Sequence, residues 1–154
     1  VKAKNYRLPI MPPQAVSHSL VQIQIMWLLI NPNWATYITL PEYWPLQSDY
    51  ACLADLADML KSSPTSMSTA HVLELMRESI HANTINQLMR HVSQYMEGYA
   101  NPSPEDEQGF QDGMQKLLKE LKAQQIQDLV LKNSTVGLSS DENRLLVALI
   151  SGRP

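Results

Sequence analysis

The side chains that could do chemistry in this sequence are four histidines, one cysteine and a few close carboxylates. The histidines are His18, His71, His81 and His91. No two of them are four residues apart, the spacing that places two zinc ligands on one helix face, and no Cys-x-x-Cys motif occurs. A histidine and glutamate at the spacing of His71 and Glu74 are typical of a solvated helix surface. The sequence therefore predicts no metal site and no bound cofactor in this chain.

Two groups of carboxylates could in principle serve as general acids and bases or hold a divalent ion. Asp55 and Asp58 are three residues apart, and Glu105, Asp106 and Glu107 are consecutive. A solvated helix face and an acidic first helical turn explain them more simply. The five glycines are isolated, so no glycine-rich phosphate loop is present. We expect no catalytic site in these residues.

The composition excludes several other classes of function. Twelve basic residues are scattered through a chain of net charge −3, which argues against direct binding of a nucleic acid backbone. The longest apolar run, residues 25–30, is too short to cross a bilayer, and no signal peptide is recognisable. The single Cys52 lies in an apolar stretch and predicts a buried thiol in a reducing compartment. We therefore expect a cytoplasmic protein without a membrane segment.

The elements that position these side chains are predicted to be helices. Residues 17–30 alternate in a way that also suits a strand, but their length and the following Asn31-Pro32 favour a helix. Pro32 would begin a short second helix, and further helices are predicted over 48–62, from Ser68 or Thr69, and after Asn83. No alternating apolar segments bounded by hairpin turns occur. The fold class is therefore predicted to be all-α, with a bundle of about six helices.

The three tryptophans cluster near the first two predicted helices. Trp27 falls on the apolar side of the first helix and is predicted to lie in the core. Trp34 and Trp44 lie near prolines, and one of them is a candidate surface anchor for a partner.

The last third of the sequence predicts a long helix over about residues 103–136. Ser103 is suited to cap it, and Pro104 followed by three acidic residues fits its first turn. The apolar stripe is interrupted at Gln124 and Gln125 and resumes at Ile126, which turns it to another side of the helix. The first half is predicted to pack on the bundle and the second half on a final helix. The alternative interpretation is one bent helix that lies within a single bundle.

A tight turn between two helices is predicted after the long helix. Gly137 fits the left-handed position after a helix end, and Ser139 with Glu142 forms a capping box for the next helix. The predicted organisation is an interdomain linker over 1–15, a bundle over 16–122 and a projecting helical hairpin over 123–154. The linker-like start indicates a piece of a longer protein.

Two segments carry a resemblance to a known family. They are Leu28 to Thr36, with the sequence LLINPNWAT, and Thr135 to Leu145, with the sequence TVGLSSDENRL. In their order and spacing they resemble the C-terminal helicase-interaction domain of bacterial DNA primase. The resemblance implies a noncatalytic module that docks on the N-terminal region of the hexameric DnaB-type replicative helicase and couples priming to unwinding. It also implies that zinc and magnesium would be used by parts of the parent primase that are not in this chain.

The partner-binding surface is predicted on the hairpin because residues 145–150 are almost continuously apolar and one helix face cannot bury all of them. The predicted partner-binding residues are Ile126, Leu129, Val130, Leu138, Arg144, Leu145, Leu146, Leu149 and Ile150. The free chain is expected to be a monomer, with weak self-association through the hairpin as an option. The alternative interpretation is an all-α scaffold or homodimerisation domain unrelated to replication.

Overall fold

The computed structural model describes residues 18–63, 65–96 and 101–151, and within these ranges it contains helices and no strands. The helices are α1 (Leu20–Ile30), a 3-10 helix (Pro32–Tyr37), α2 (Ser48–Ser62), α3 (Thr69–Met76), α4 (Ala82–Tyr95), α5 (Pro104–Thr135) and α6 (Ser140–Ile150). The all-α prediction is confirmed. The predicted linker over 1–15 lies outside the described residues.

Capping boxes fix the starts of three α-helices. Ser19, Ser103 and Ser139 each accept a hydrogen bond from a backbone N–H in the first turn, and the third residue of each helix returns a bond to the cap. Pro104 occupies the first position of α5, where its missing N–H leaves no donor unpaired. The caps predicted at Ser103 and Ser139 are confirmed.

Helix α1 is the centre of the bundle. It contacts α2, α3, α4, α5 and the 3-10 helix, so it is buried on several sides. Its fully buried side chains include Ile25, Leu28 and Leu29, and Phe110 of α5 is fully buried in the same core. A helix surrounded in this way is apolar on most of its circumference, which explains why its periodicity was ambiguous in the sequence.

The assignment of the tryptophans from sequence was wrong. Trp34 and Trp44 are buried, whereas Trp27 is only partly buried at the edge of the core. The 3-10 helix folds back on the bundle, so the Trp34 ring lies 5.3 Å from Phe110 and 5.6 Å from Trp27 between ring centroids. The Trp44 indole N–H donates to the Tyr50 carbonyl at 2.7 Å, which satisfies its one polar group in the core.

Polar contacts between distant segments tie the helices of the bundle together. The Thr69 hydroxyl donates to the Leu29 carbonyl at 2.8 Å and joins the start of α3 to the end of α1. The buried imidazole of His81 lies 2.7 Å from a carboxylate oxygen of Asp55, so the turn before α4 is linked to α2. Asp55 is therefore not simply a solvated carboxylate, as its sequence context indicated.

Helix α5 joins the bundle to the hairpin. Its 32 residues give a length of about 48 Å, more than the width of the bundle it leaves. Its buried residues Phe110, Met114 and Leu117 belong to the bundle core, and Leu118 and Leu121 pack against that core. Leu129, farther along, is buried outside that core, as the change of face in the sequence pattern predicts.

Candidate partner-binding surface

The hairpin turn is built by backbone geometry at the end of α5. Gly137 has a φ of +85°, which glycine adopts at little cost and side-chain-bearing residues avoid. The N–H groups of Val136 and Gly137 both donate to the Lys132 carbonyl, at 2.9 and 3.0 Å. Two residues later Ser139 caps α6, so the chain reverses within a few residues and α6 runs antiparallel to α5.

An ion pair joins the two helices of the hairpin. The Lys132 ammonium donates to a carboxylate oxygen of Glu142 at 2.5 Å, and the other carboxylate oxygen of Glu142 accepts from the backbone N–H of Ser139 at 2.9 Å. The bond from Lys132 and the backbone bond from Ser139 together hold the pKa of Glu142 below its ordinary value. Glu142 therefore serves as both a cap and a link between the helices.

Two of the predicted partner-binding leucines are internal to the chain. Leu129 is 5% exposed and Leu149 is 4% exposed, and each is the buried residue of its helix in this part of the molecule. Ile126, Leu138, Leu145 and Leu146 are partly buried. A buried side chain cannot touch a partner while the fold is intact, so Leu129 and Leu149 would act by holding the hairpin together.

One side of the hairpin exposes apolar side chains in two rows. Val130 follows the buried Leu129 by one residue, and Ile150 follows the buried Leu149 by one residue. One residue rotates a helix by 100°, and because α5 and α6 are antiparallel both rotations lead to the same side of the hairpin. Ile126 lies one turn before Val130, and Leu146 and Val147 lie one turn before Ile150. We call this the outer hairpin face; its residues are Ile126, Val130, Leu146, Val147 and Ile150.

The exposed area of this face is concentrated in three residues. Val130 is 51% exposed, Val147 is 66% exposed and Ile150 is 65% exposed. Val147 was not among the predicted contact residues; it lies three residues before Ile150 and about 200° around α6 from the buried Leu149, so it borders this face on the side away from α5. Exposed aliphatic side chains that share one side of two packed helices fit a surface that a partner covers.

The opposite side of the hairpin faces the bundle. Leu145, Ala148 and Leu149 line a cavity of about 600 Å³ together with the loop over residues 39–43 and with Leu118. Ala148 precedes Leu149 by one residue, so the 100° rotation places it on the side away from Ile150. The hairpin therefore projects with one side turned toward the bundle, a contact between distant segments that no local pattern in the sequence could indicate.

Arg144 is separated from the apolar rows. It lies five residues before Leu149, a rotation that turns it away from the outer hairpin face. Its side chain is 80% exposed, with the guanidinium 3.4 Å from a carboxylate oxygen of Asp141 in the same helix. Of the nine predicted residues, Leu129 and Leu149 are buried and Leu145 lines the cavity on the bundle side. Leu138 at the turn and the exposed Arg144 belong to neither group. The other four lie on the outer hairpin face: Ile126, Val130, Leu146 and Ile150.

The thiol of Cys52 is buried in α2, within the bundle core. Burial raises the pKa of the Cys52 thiol to about 12, so it stays protonated inside α2. In the part of the chain that the structure describes, no three His, Cys, Asp or Glu side chains are arranged to hold a metal ion. None of the helices in the described ranges is long and apolar enough to cross a membrane.

Comparisons with known proteins agree with this architecture. The family model described as DNA primase DnaG DnaB-binding matches residues 21–149. DNA primases from two strains of Neisseria meningitidis, of serogroups A and B, are 47% and 46% identical over 99% of this chain. The chain spans 26% of the length of these primases.

A solved structure of the DnaG primase C-terminal domain from Vibrio cholerae has the same fold. It superposes with a TM-score of 0.67 at 22% identity and covers 86% of this chain and 96% of that domain. The family match covers both the bundle and the hairpin, and the chain therefore belongs to the DnaB-binding family of DNA primase DnaG domains.

Proposed function

We propose that this chain is the noncatalytic C-terminal domain of a DNA primase and that its hairpin binds the N-terminal region of the DnaB-type replicative helicase. The observation that carries the proposal is the outer hairpin face, an exposed apolar surface on a hairpin that leaves the bundle. The family to which the chain belongs is described by binding to this helicase, which supports the choice of partner. Binding there would keep the parent primase beside the helicase, so that primers are made where the DNA is unwound.

Packing between helices is the mode of recognition that this surface fits. Val130, Val147 and Ile150 offer exposed aliphatic area on two antiparallel helices, so a partner helix laid along the outer hairpin face would bury side chains from both. The capping boxes, the Gly137 turn and the Lys132–Glu142 pair fix the geometry of this face before the partner arrives. A preformed surface loses little conformational entropy on binding.

The rest of the proposal concerns the parent protein. RNA primer synthesis, and the zinc and magnesium it would require, are assigned to segments other than this chain. The chain itself is proposed to be cytoplasmic, to make no primers and to bind single-stranded DNA weakly or not at all, because its twelve basic residues are scattered and its net charge is −3.

A deletion tests the proposal. Removal of residues 138–154 takes away α6 and half of the outer hairpin face but leaves the bundle core, which ends at Leu121. Titration calorimetry with the purified replicative helicase should show binding by the intact chain and none by the deleted chain. Circular dichroism should show that the deleted chain keeps its bundle helices.

Two results would contradict the proposal. Equal affinity of the deleted and intact chains would move the helicase site to the bundle. A stable dimer of the free chain in light scattering, lost on deletion and unaffected by helicase, would favour the homodimerisation alternative instead.

A further inference from the structure

A buried amide joins α1 to the first third of α5. Gln24 is 1% exposed, and its Nε2 donates to the carbonyl of Phe110 at 2.7 Å. The two residues are 86 positions apart in the chain, and both lie in the bundle core. A buried side-chain amide destabilises the fold unless its polar atoms form hydrogen bonds. The bond to the Phe110 carbonyl therefore holds the Gln24 side chain in one orientation.

Gly113 provides the space for that amide. A Cβ added at Gly113 would lie 2.8 Å from Gln24 Oε1, closer than real Cβ atoms approach a neighbour, and 3.0 Å from its Cδ, which is tighter than most real contacts. Glycine weakens a helix interior relative to alanine, and the close approach is a physical reason for it here. Gly109, one turn earlier in the same helix, has open space around its Cα and makes no comparable approach.

The amide cannot easily make room for a larger residue. Its far end would have to rotate inside a filled core and give up the bond to the Phe110 carbonyl, which leaves a buried donor unpaired. Displacement of α5 away from α1 is the other response to a larger residue.

We propose that Gln24 and Gly113 form a fixed contact that sets where α5 leaves the bundle and hence the direction in which the hairpin is held. Gln24 is a positioning residue, because it acts on the hairpin through α5 and lies in the bundle core. The inference concerns the free chain and does not depend on the identity of the partner.

The length of α5 amplifies any change at this contact. In Gly113→Ala, an ordinary contact between the new Cβ and Gln24 Oε1 needs at least 3.4 Å, whereas the present geometry would put them 2.8 Å apart. If the amide keeps its place, α5 would therefore move by about 0.6 Å. Gly113 is nine residues from the start of α5 and Thr135 is more than three times as far from it. If α5 pivots at its capped start, the displacement at Gly113 is therefore multiplied roughly threefold at Thr135, to about 2 Å.

Distance measurements between spin labels test the proposal. Labels on cysteines placed at the exposed positions Glu78 in the bundle and Asn143 in the hairpin, with Cys52 replaced by alanine, report the hairpin direction by double electron–electron resonance. Gly113→Ala should shift the mean distance by about 2 Å or broaden its distribution. Gly109→Ala, the matched control, should leave it unchanged.

Thermal unfolding supplies the second readout. Gly109→Ala should raise the Tm by about 2–4 °C through helix propensity, whereas Gly113→Ala should lower it. In a Gln24→Ala background the amide is gone, so Gly113→Ala should raise the Tm as Gly109→Ala does. That reversal holds as a test even if Gly113→Ala alone fails to fold.

The proposal is overturned if Gly113→Ala behaves like Gly109→Ala in both readouts, because the amide would then have yielded without moving α5. It is also overturned if Gly113→Ala destabilises the chain equally with and without the Gln24 side chain.

Discussion

At the scale of single residues, burial separates the tryptophans into two kinds. Trp34 is 8% exposed and contacts both Phe110 and Trp27 with its ring, so it connects the 3-10 helix to α1 and α5. Trp27 covers the outside of that cluster. The position of Trp34 beside Asn31-Pro32 looked like a surface turn in the sequence, because a 3-10 helix that folds onto the core has the same turn residues as an exposed loop.

Replacement of these tryptophans tests the assignment. Trp34→Ala should lower the free energy of unfolding by about 3–5 kcal/mol, because it leaves a cavity between the rings of Trp27 and Phe110. Trp27→Ala should cost less, since part of its surface is already in water. Urea unfolding followed by circular dichroism measures the free energy of unfolding of both variants. A larger loss of stability for Trp27→Ala than for Trp34→Ala would contradict the burial of Trp34 in the core.

Glu142 gives the hairpin a predictable dependence on pH. Its pKa in the folded chain is below the ordinary value of 4.5. The ionised carboxylate therefore stabilises the hairpin above about pH 4.5, and this contribution is lost as the pH falls through the lowered pKa. Glu142→Gln keeps the capping geometry but removes the charge.

The expected result is a smaller acid sensitivity of α6 in the variant. Hydrogen exchange of the α6 amides, compared between pH 7 and pH 4, should show a loss of protection in the parent chain and a smaller loss in Glu142→Gln. The same loss in both chains would show that the Lys132–Glu142 pair contributes nothing to the hairpin.

At the scale of elements, the sequence predicts helix ends better than helix neighbours. Caps, prolines and the Gly137 position are local signals, and α5 over Pro104–Thr135 begins and ends where these signals lie, whereas α2 over Ser48–Ser62 begins without a side-chain cap. The side of each helix that is buried depends on residues far away in sequence. The approach of the loop over 39–43 to α6, and the contact of Gln24 with Gly113, are therefore visible only in the folded chain.

The reversal at Gly137 is an element-scale test of the hairpin. Gly137→Ala should destabilise the hairpin by about 1 kcal/mol or more, because the φ of +85° places a Cβ against its own backbone. Gly137→Asn is the matched control, since asparagine tolerates this region best among the residues with side chains. Exchange rates of the α6 amides report the effect, and equal rates in the two variants would show that the turn can relax.

At the scale of the whole molecule, some of the predicted partner-binding residues lie on the hairpin surface, and others are buried and hold the two helices of the hairpin together. The apolar run over residues 145–150 indicated a partner-seeking helix, but a helix distributes such a run over all its sides. Leu149 is inside the hairpin, Leu145 faces the cavity and Val147 is outside. Leu149→Asp would therefore break the hairpin, and a charge placed at Val147 is the cleaner change to the surface.

The central claim is that the outer hairpin face binds the N-terminal region of the replicative helicase. Val147→Asp puts a charge on this face at a side chain that is 66% exposed, so it should spare the fold. Ile80→Asp is the matched control, because Ile80 is a 92% exposed aliphatic residue of the bundle. In titration calorimetry with the helicase, binding should be at least about tenfold weaker for Val147→Asp and unchanged for Ile80→Asp. Equal affinity of the two variants, or a loss only for Ile80→Asp, would contradict it.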